Sequence, residues 1–414
     1  MSTSTWWSPR PSLRDMTTVA SRTRTQVAVV GGGPAGLMVS HLLHRAGVET
    51  AVVDHRTVHE IETTHRAGIL EPDSVRLLAE TGVYAAGEER VLTDGDRHGG
   101  IYLRFDGESH RVDFQELVGA SVWLYPQTEV FVDLHRARTR DDGDLRYGIS
   151  ETAVHDTADS PRVRYRDAQG ALHEITADLV VGADGSHSIC RDLVAEPRRY
   201  HREYPFAWFG ILCEAPKSAP ELIYARSDRG FALISQRTET VQRMYFQCDP
   251  AEDAAAWSED RIWSELQARL AGPDGFSLQE GPVIERTVLP FRSFVQTPLS
   301  RGRLLLAGDA AHTVPPTGAK GLNLALADAG VLAEVVERAL ATRDLGVLSD
   351  YEDRAPARVW KAQQFSYWMT TMLHRADGAT DFDEQRQRSE LAGLVGSRAG
   401  STYLAEGYTG WPTT

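Results

Sequence analysis

The segment TQVAVVGGGPAGLMVSHLLHRAGVETAVVDH, residues 25 to 55, constrains the fold more than any other part of the chain. Val27 to Val30 form a short continuous apolar run, as a parallel strand buried on both faces requires. Gly31, Gly33 and Gly36 follow at the spacing GxGxxG, and then Leu37, His41, Leu42, Leu43 and Ala46 repeat with helical period up to Gly47. A second apolar run, TAVVDH, completes a βαβ unit. Glycines at this turn permit a tight bend and bring the backbone close to a pyrophosphate, which then sits on the positive end of the helix. Asp54 ends the second strand 18 residues beyond Gly36, where an acid commonly holds a ribose hydroxyl. The motif by itself leaves NAD and FAD open.

With 414 residues the chain is long enough for two or three structural units of ordinary size. Its 42% hydrophobic and 25% charged content is that of a water-soluble globular protein. A net charge of −14 argues against nucleic acid as the main partner, although a local basic pocket can still take a small acid. No apolar run approaches the roughly 18 residues needed to span a bilayer. The three cysteines, Cys190, Cys213 and Cys248, are odd in number and widely spaced. They form neither a disulfide framework nor a zinc motif, so a reducing cytoplasm is the expected compartment and no metal is expected. The first 24 residues are rich in Ser, Thr and Arg and lack an apolar core segment, so they read as a disordered extension rather than a secretory signal.

Further along, residues 100 to 135 read as hairpin material followed by a helix, and VRYRDAQGALHEITADLVVGADG as a hairpin leading into another buried strand. Residues 205 to 250 alternate and are aromatic, as an antiparallel sheet requires. SEDRIWSELQARLAG carries an N-cap at Ser258 and an apolar stripe of Ile262, Trp263, Leu266 and Leu270. The strand GRLLLAGDA precedes a Pro-Pro and Gly-rich loop and a long helix from about Gly321 to Ala341. From about Asp350 the pattern is mostly helical.

One short run poses a question. In FALISQR, residues 231 to 237, Phe231, Leu233, Ser235 and Arg237 share one face of an extended strand. Two are large and apolar, yet the face ends in a permanent cation. Arg237 either lies past the strand end, in solvent or beside a carboxylate, or it awaits an anion that its planar fork can grip.

The run by itself leaves both readings open. VVGADGSHS and LLLAGDAAHTVPPTGAKGLNLALADA each end a buried strand with an acid beside a glycine. In the order GxGxxG, DG, GD the chain resembles the class A flavoprotein aromatic hydroxylases. HRAGILE, YPFAWFGIL, ELIYARSDRGFALISQR, AGDAAHTVPPTGAKGLNLA, WKAQQFSYWMT and AEGYTGWP carry the likeness. It covers nearly the whole chain, apart from the extension and a longer segment around residues 84 to 96. The resemblance implies an α/β fold: a Rossmann-like FAD-binding domain, an antiparallel-sheet substrate domain and a C-terminal helical region. The expected boundaries are 1–24 for the extension, 25–200 for FAD, 201–300 for substrate, 301–345 for a return to the FAD domain and 346–414 for the helical interface region.

The resemblance also implies roles. Ser235, Arg237 and Tyr245 would bind the carboxylate of a small aromatic acid, which answers the question posed by FALISQR. Tyr224, Tyr408 and His98 would relay the phenol proton toward the surface, with the Pro316 carbonyl accepting the phenol's hydrogen bond. Gly31, Gly33, Gly36, Asp54, Arg66, Gln127, Asp309, Leu322 and Asn323 would hold FAD, and Arg243 would lie near its ring. Trp208, Leu222, Leu233, Ile69 and Thr317 would wall the site. His187 and Arg292 would meet NADH or NADPH, which binds transiently because FAD takes the one dinucleotide fingerprint. Thr64 stands at a position that is basic in relatives, and Glu60 and Glu62 repel a 2′-phosphate, so NADH or dual use is expected. The implied reaction is hydroxylation of 4-hydroxybenzoate to 3,4-dihydroxybenzoate with O2, by a homodimer. The rival readings are 4-aminobenzoate as substrate, or a flavin-binding sensor or reductase.

Overall fold

The computed structural model describes residues 19–64 and 68–411. The first strand, Val19–Val30, is flanked in parallel by Leu172–Gly182 on one side and Thr50–Asp54 on the other, with Val27 opposite both Leu179 and Thr50. Leu304–Leu306 and Asp144–Tyr147 extend the sheet in parallel outward. The helices Pro34–Arg45, Gln127–Arg140 and Lys320–Thr342 pack on it, which explains why Val27, Val29, Val52, Leu179, Val181 and Leu305 are all fully buried.

The first strand begins earlier than the sequence reading allows. Residues 19 to 24, assigned to a disordered extension, continue the strand alongside Leu172–Thr176. SRTRT is polar because this end of the strand is exposed, so apolar periodicity marks only the buried half. Residues 1–18 lie outside the described residues.

A second, mostly antiparallel sheet runs in the order His312–Thr313, Val283–Thr297, Arg198–Cys213, Gln242–Cys248, Gly230–Gln236, Ile223–Ser227, Gly100–Phe105, Glu108–Asp113. The hairpin at residues 100 to 113, expected in the nucleotide domain, therefore belongs to this sheet. It joins through a parallel pairing with Ile223–Ser227, a long-range contact that local pattern does not encode. The sheet is covered on both sides. Phe209, Ile211, Ile234, Met244 and Phe246 face the helix Glu259–Leu270, whose Ile262, Trp263, Leu266 and Leu270 meet them, and whose N-cap is Ser258. Trp208, Tyr224, Phe231, Leu233 and Tyr245 face the C-terminal helices through Phe365, Met369, Leu404 and Tyr408. Alternation along each strand thus sends every second side chain toward one core and the others toward the second. Three short strands, Ile69–Leu70, Val122–Leu124 and Asp96–His98, form a small third sheet. Among the described residues no helix is long and apolar enough to cross a membrane.

Candidate functional site

The glycine turn has the shape a dinucleotide needs. A Cβ on Gly36 would lie 1.9 Å from the Gly31 carbonyl oxygen, so the helix packs directly onto the turn. A Cβ on Gly33 would meet only Arg56 Nη2 at 3.7 Å, so this glycine opens onto space a ligand can enter. Gly33 is also the N-cap of Pro34–Arg45 and supplies no side-chain cap, which leaves first-turn N–H groups for an anion. Asp54 departs from expectation. Its Oδ2 accepts from Gly32 N (2.8 Å) and Arg56 Nη2 (3.0 Å), and its Oδ1 accepts from Arg56 N (2.8 Å) and Nε (3.2 Å). Four donors fill a carboxylate's acceptor positions, so Asp54 braces the turn and can take a ribose hydroxyl only if Arg56 swings away.

Beyond the turn lies a cavity of about 780 Å³. Gln127, Asp309 and Leu322 line its nucleotide side, and the N-terminus of Lys320–Thr342, again without a side-chain cap, opens beside them. The Asn323 side chain is turned elsewhere: it accepts from Glu71 N and donates to the Ile69 and Ala319 carbonyls, each at 2.9 Å. It ties the helix start to the small sheet. Arg66 lies outside the described residues.

The substrate sheet supplies the rest of the wall. Ser235 pairs with Arg243 across the sheet, and Leu233 pairs with both Tyr245 and Tyr224. Ser235 therefore lies two residues, about 7 Å, further along its strand than the level of Tyr224. That spacing suits a benzene ring with a carboxylate at one end and a para group at the other. Trp208, Leu222, Leu233 and Ile69 also line the cavity. Thr317, expected beside them, is instead fully buried and accepts from Thr370 Oγ1 at 3.0 Å.

At the far level Arg237, half-buried just past the strand Gly230–Gln236, makes one side-chain bond among the described residues, from Nη2 to Thr128 Oγ1 at 3.3 Å. Burial and then the like charge of Arg243 pull its guanidinium below the usual range. Arg243 Nε donates to Tyr245 Oη (2.6 Å), which leaves the phenol hydrogen available, and Arg243 Nη1 is buried without a hydrogen-bond partner among the described residues. Sequence reasoning placed Arg243 only near the flavin; its period-two spacing to Tyr245 was the available signal that both share this face. Glu285, not anticipated at all, also lines the cavity and acts on Arg237. Ser235 Oγ donates to the Arg243 carbonyl at 2.6 Å and must rotate to meet a ligand.

At the near level Tyr224 Oη and Tyr408 Oη lie 2.8 Å apart, and both rings are 1% exposed. Burial pushes Tyr224 up to about 12, against a lowering by Tyr408's hydrogen bond, and burial raises Tyr408 further. The Pro316 carbonyl already accepts from Ala319 N (3.0 Å), so one lone pair remains for a second donor. His98 corrects the sequence reading: it was expected near the surface and is 1% exposed, with Nε2 beside Gln236 Nε2 at 2.8 Å. Burial lowers its pKa, with Asp96 opposing. His187 and Arg292 come together at one loop, where Arg292 Nη2 donates to the Ser186 carbonyl (3.3 Å) and His187 is exposed.

An anion-ready glycine turn together with a wide, aromatic-walled cavity is the layout of a flavoprotein hydroxylase. The model of the FAD binding domain family matches residues 24–366, and the chain belongs to that family as a flavin-dependent monooxygenase that binds FAD. It is 41% identical over 392 residues to the p-hydroxybenzoate hydroxylase of Acinetobacter baylyi, covering 94% of this chain and 96% of that protein. It is 30% identical over 374 residues to a 3-amino-4-hydroxybenzoate 2-monooxygenase of Streptomyces platensis, covering 86% and 90%. Its fold is also that of the p-nitrophenol 4-monooxygenase of Pseudomonas putida, with a TM-score of 0.76 over 95% of this chain and 100% of that one at 18% identity.

Proposed function

We propose that the chain hydroxylates 4-hydroxybenzoate to 3,4-dihydroxybenzoate, using O2 and either NADH or NADPH. One observation carries this reading: Tyr224, paired with the buried Tyr408, and an arginine clamp occupy two levels of a single cavity. Arg237 and the Tyr245 hydroxyl take the carboxylate, a charge-assisted contact that also relieves the crowding of Arg237 by Arg243. Leu222, Leu233 and Trp208 exclude water from the ring. At the other end the substrate phenol donates to the Pro316 carbonyl or to Tyr224 Oη. Its proton passes from Tyr224 to Tyr408 and outward by way of His98, so the ring becomes electron-rich at the carbon beside the phenolate. FAD, held by the Gly31–Gly36 turn, Gln127, Asp309 and the helix start at Lys320–Leu322, supplies the electron-transfer and oxygen-activating chemistry.

The test is an assay of the FAD-loaded protein with each reductant and a panel of para-substituted benzoates, comparing hydroxylated product with H2O2. Product limited to 4-hydroxybenzoate supports the reading; oxidation of NADH with H2O2 as sole product overturns it. For the reductant, Glu60 and Glu62 remain exposed on the helix Val58–Thr63, with Glu60 held by the Thr57 N–H and hydroxyl in a capping box. Because Glu60 is engaged in capping the helix, Glu62→Arg is the cleaner change. It is expected to raise kcat/KM for NADPH relative to NADH about fivefold, as one charge reversal at an exposed site allows. An unchanged ratio would remove this surface from cofactor choice.

A further inference from the structure

His98 is buried, and a buried base exchanges protons with water only through a group that reaches water. Its Nε2 faces two neighbours, the buried Gln236 Nε2 at 2.8 Å and Asp96 Oδ2 at 3.4 Å, of which Asp96 reaches water. Asp96 begins the strand Asp96–His98, its side chain is 36% exposed, and its Oδ2 also accepts from Lys217 Nζ (2.9 Å) and Gln236 Nε2 (3.2 Å). Lys217 reaches on to Glu239 at 2.8 Å. The imidazole thus has a carboxylate between itself and solvent. The other ring nitrogen, His98 Nδ1, is buried with no hydrogen-bond partner among the described residues. The next residue, Gly99, accepts Phe114 N–H at 2.7 Å, and the Phe114 ring packs on Tyr408 with centroids 5.2 Å apart. His98 is thus linked through Gly99 and Phe114 to the phenol pair, and through Nε2 to Asp96.

We propose that Asp96 is the solvent port of the proton relay, holding His98 with its proton on Nε2 and passing that proton to water. The inference rests on the relay reading above. A carboxylate at Nε2 favours the tautomer with N–H on that side, which leaves Nδ1 bare to accept the proton arriving by way of Tyr408. One proton enters at Nδ1, one leaves from Nε2 to Asp96 Oδ2, and no electrons move. The ring then carries Nδ1–H and a bare Nε2, the form that the Gln236 N–H donates to. A half-turn of the Gln236 amide presents its oxygen to Nε2–H and restores the first form. Reprotonation of the product runs the same path backwards and resets the imidazole.

The charges around His98 keep it neutral enough to act as a carrier. Burial lowers its pKa; Asp96 and then Glu221 oppose this, and Lys217 lowers it again. Glu221 is held in bidentate fashion by Arg111 at 2.7 and 3.0 Å, so its charge is largely spent. Asp96 itself is held below the usual carboxylate range: burial raises it, and the Lys217 and Gln236 hydrogen bonds outweigh that.

The experiment uses the full-length FAD-loaded protein and 4-hydroxybenzoate, following the absorbance of the bound phenolate after a pH jump. Asp96→Asn is expected to slow ionisation about tenfold, with Asp96→Glu and added imidazole buffer each restoring much of the rate. An unchanged rate in Asp96→Asn, with His98→Gln slow, overturns the port and leaves the relay standing. Unchanged rates in both variants overturn the relay itself. Should Asp96→Asn fail to retain FAD, Lys217→Gln serves instead: removing the cation raises the basicity of Asp96. The pH midpoint of the ionisation rate then moves upward, and an unmoved midpoint overturns the proposal.

Discussion

Arg237→Ala is expected to weaken binding of 4-hydroxybenzoate by about 3 kcal/mol, roughly 150-fold in Kd, while FAD binding stays unchanged. The size follows from what is removed. Arg237 is half-buried, lines the cavity and, among the described residues, has a single side-chain hydrogen bond, to Thr128. A carboxylate placed there without the guanidinium loses a bidentate, charge-assisted contact and must still leave water. Arg243 softens the loss, since its Nη1 also lacks a hydrogen-bond partner among the described residues, but its Nε is committed to Tyr245. Arg237→Lys is expected to recover less than half of the free energy, because a point charge cannot reproduce the planar fork. Titration of flavin fluorescence with substrate measures all three proteins. A change in Kd of threefold or less for Arg237→Ala would show that the acid end of the substrate lies elsewhere.

Much of the fold around this site was legible in the sequence, for a physical reason. The glycine turn, the Ser258 cap and the strand–helix alternation are encoded within a few residues of themselves, so periodicity and turn chemistry report them directly. The positions that local pattern misjudged depend on partners chosen elsewhere or on burial. Asp54 stands where a ribose ligand is expected, yet Arg56, two residues on, takes three of its four acceptor positions. His98 reads as a surface residue until the strand Val122–Leu124 and Gln236 enclose it. Glu71 and Lys320, 249 residues apart, form a buried ion pair at 2.6 Å, with Lys320 also donating to the Tyr408 carbonyl. Nothing adjacent to either announces that pairing, although it ties the start of the helix Lys320–Thr342 to Tyr408. The roles of Ser235, Tyr245 and Tyr224 came only from resemblance. Their cross-strand register explains how three separated residues reach one chamber.

Tyr224→Phe is expected to bind 4-hydroxybenzoate within threefold of the unaltered protein yet form hydroxylated product about 100-fold more slowly, with H2O2 taking most of the reducing equivalents. The substitution keeps the ring, so packing against Phe231 at 6.2 Å and the cavity wall is preserved. It removes only the oxygen that joins the substrate phenol to Tyr408 Oη, 2.8 Å further on. Burial holds Tyr224 up to about 12, so at neutral pH it stays protonated and works by exchanging hydrogen bonds, never as a standing base. Its donated hydrogen bond stabilises the substrate phenolate. Without it the bound phenol ionises at higher pH, so the product fraction in Tyr224→Phe should climb as pH rises, where the unaltered protein is already near its plateau. Tyr408→Phe interrupts the same chain one step later and should slow ionisation without raising the substrate's apparent pKa as far. Full coupling of NADH oxidation to product in Tyr224→Phe at neutral pH would mean that the phenol loses its proton by a route that bypasses this pair, and the electron-rich ring on which hydroxylation depends would need another cause.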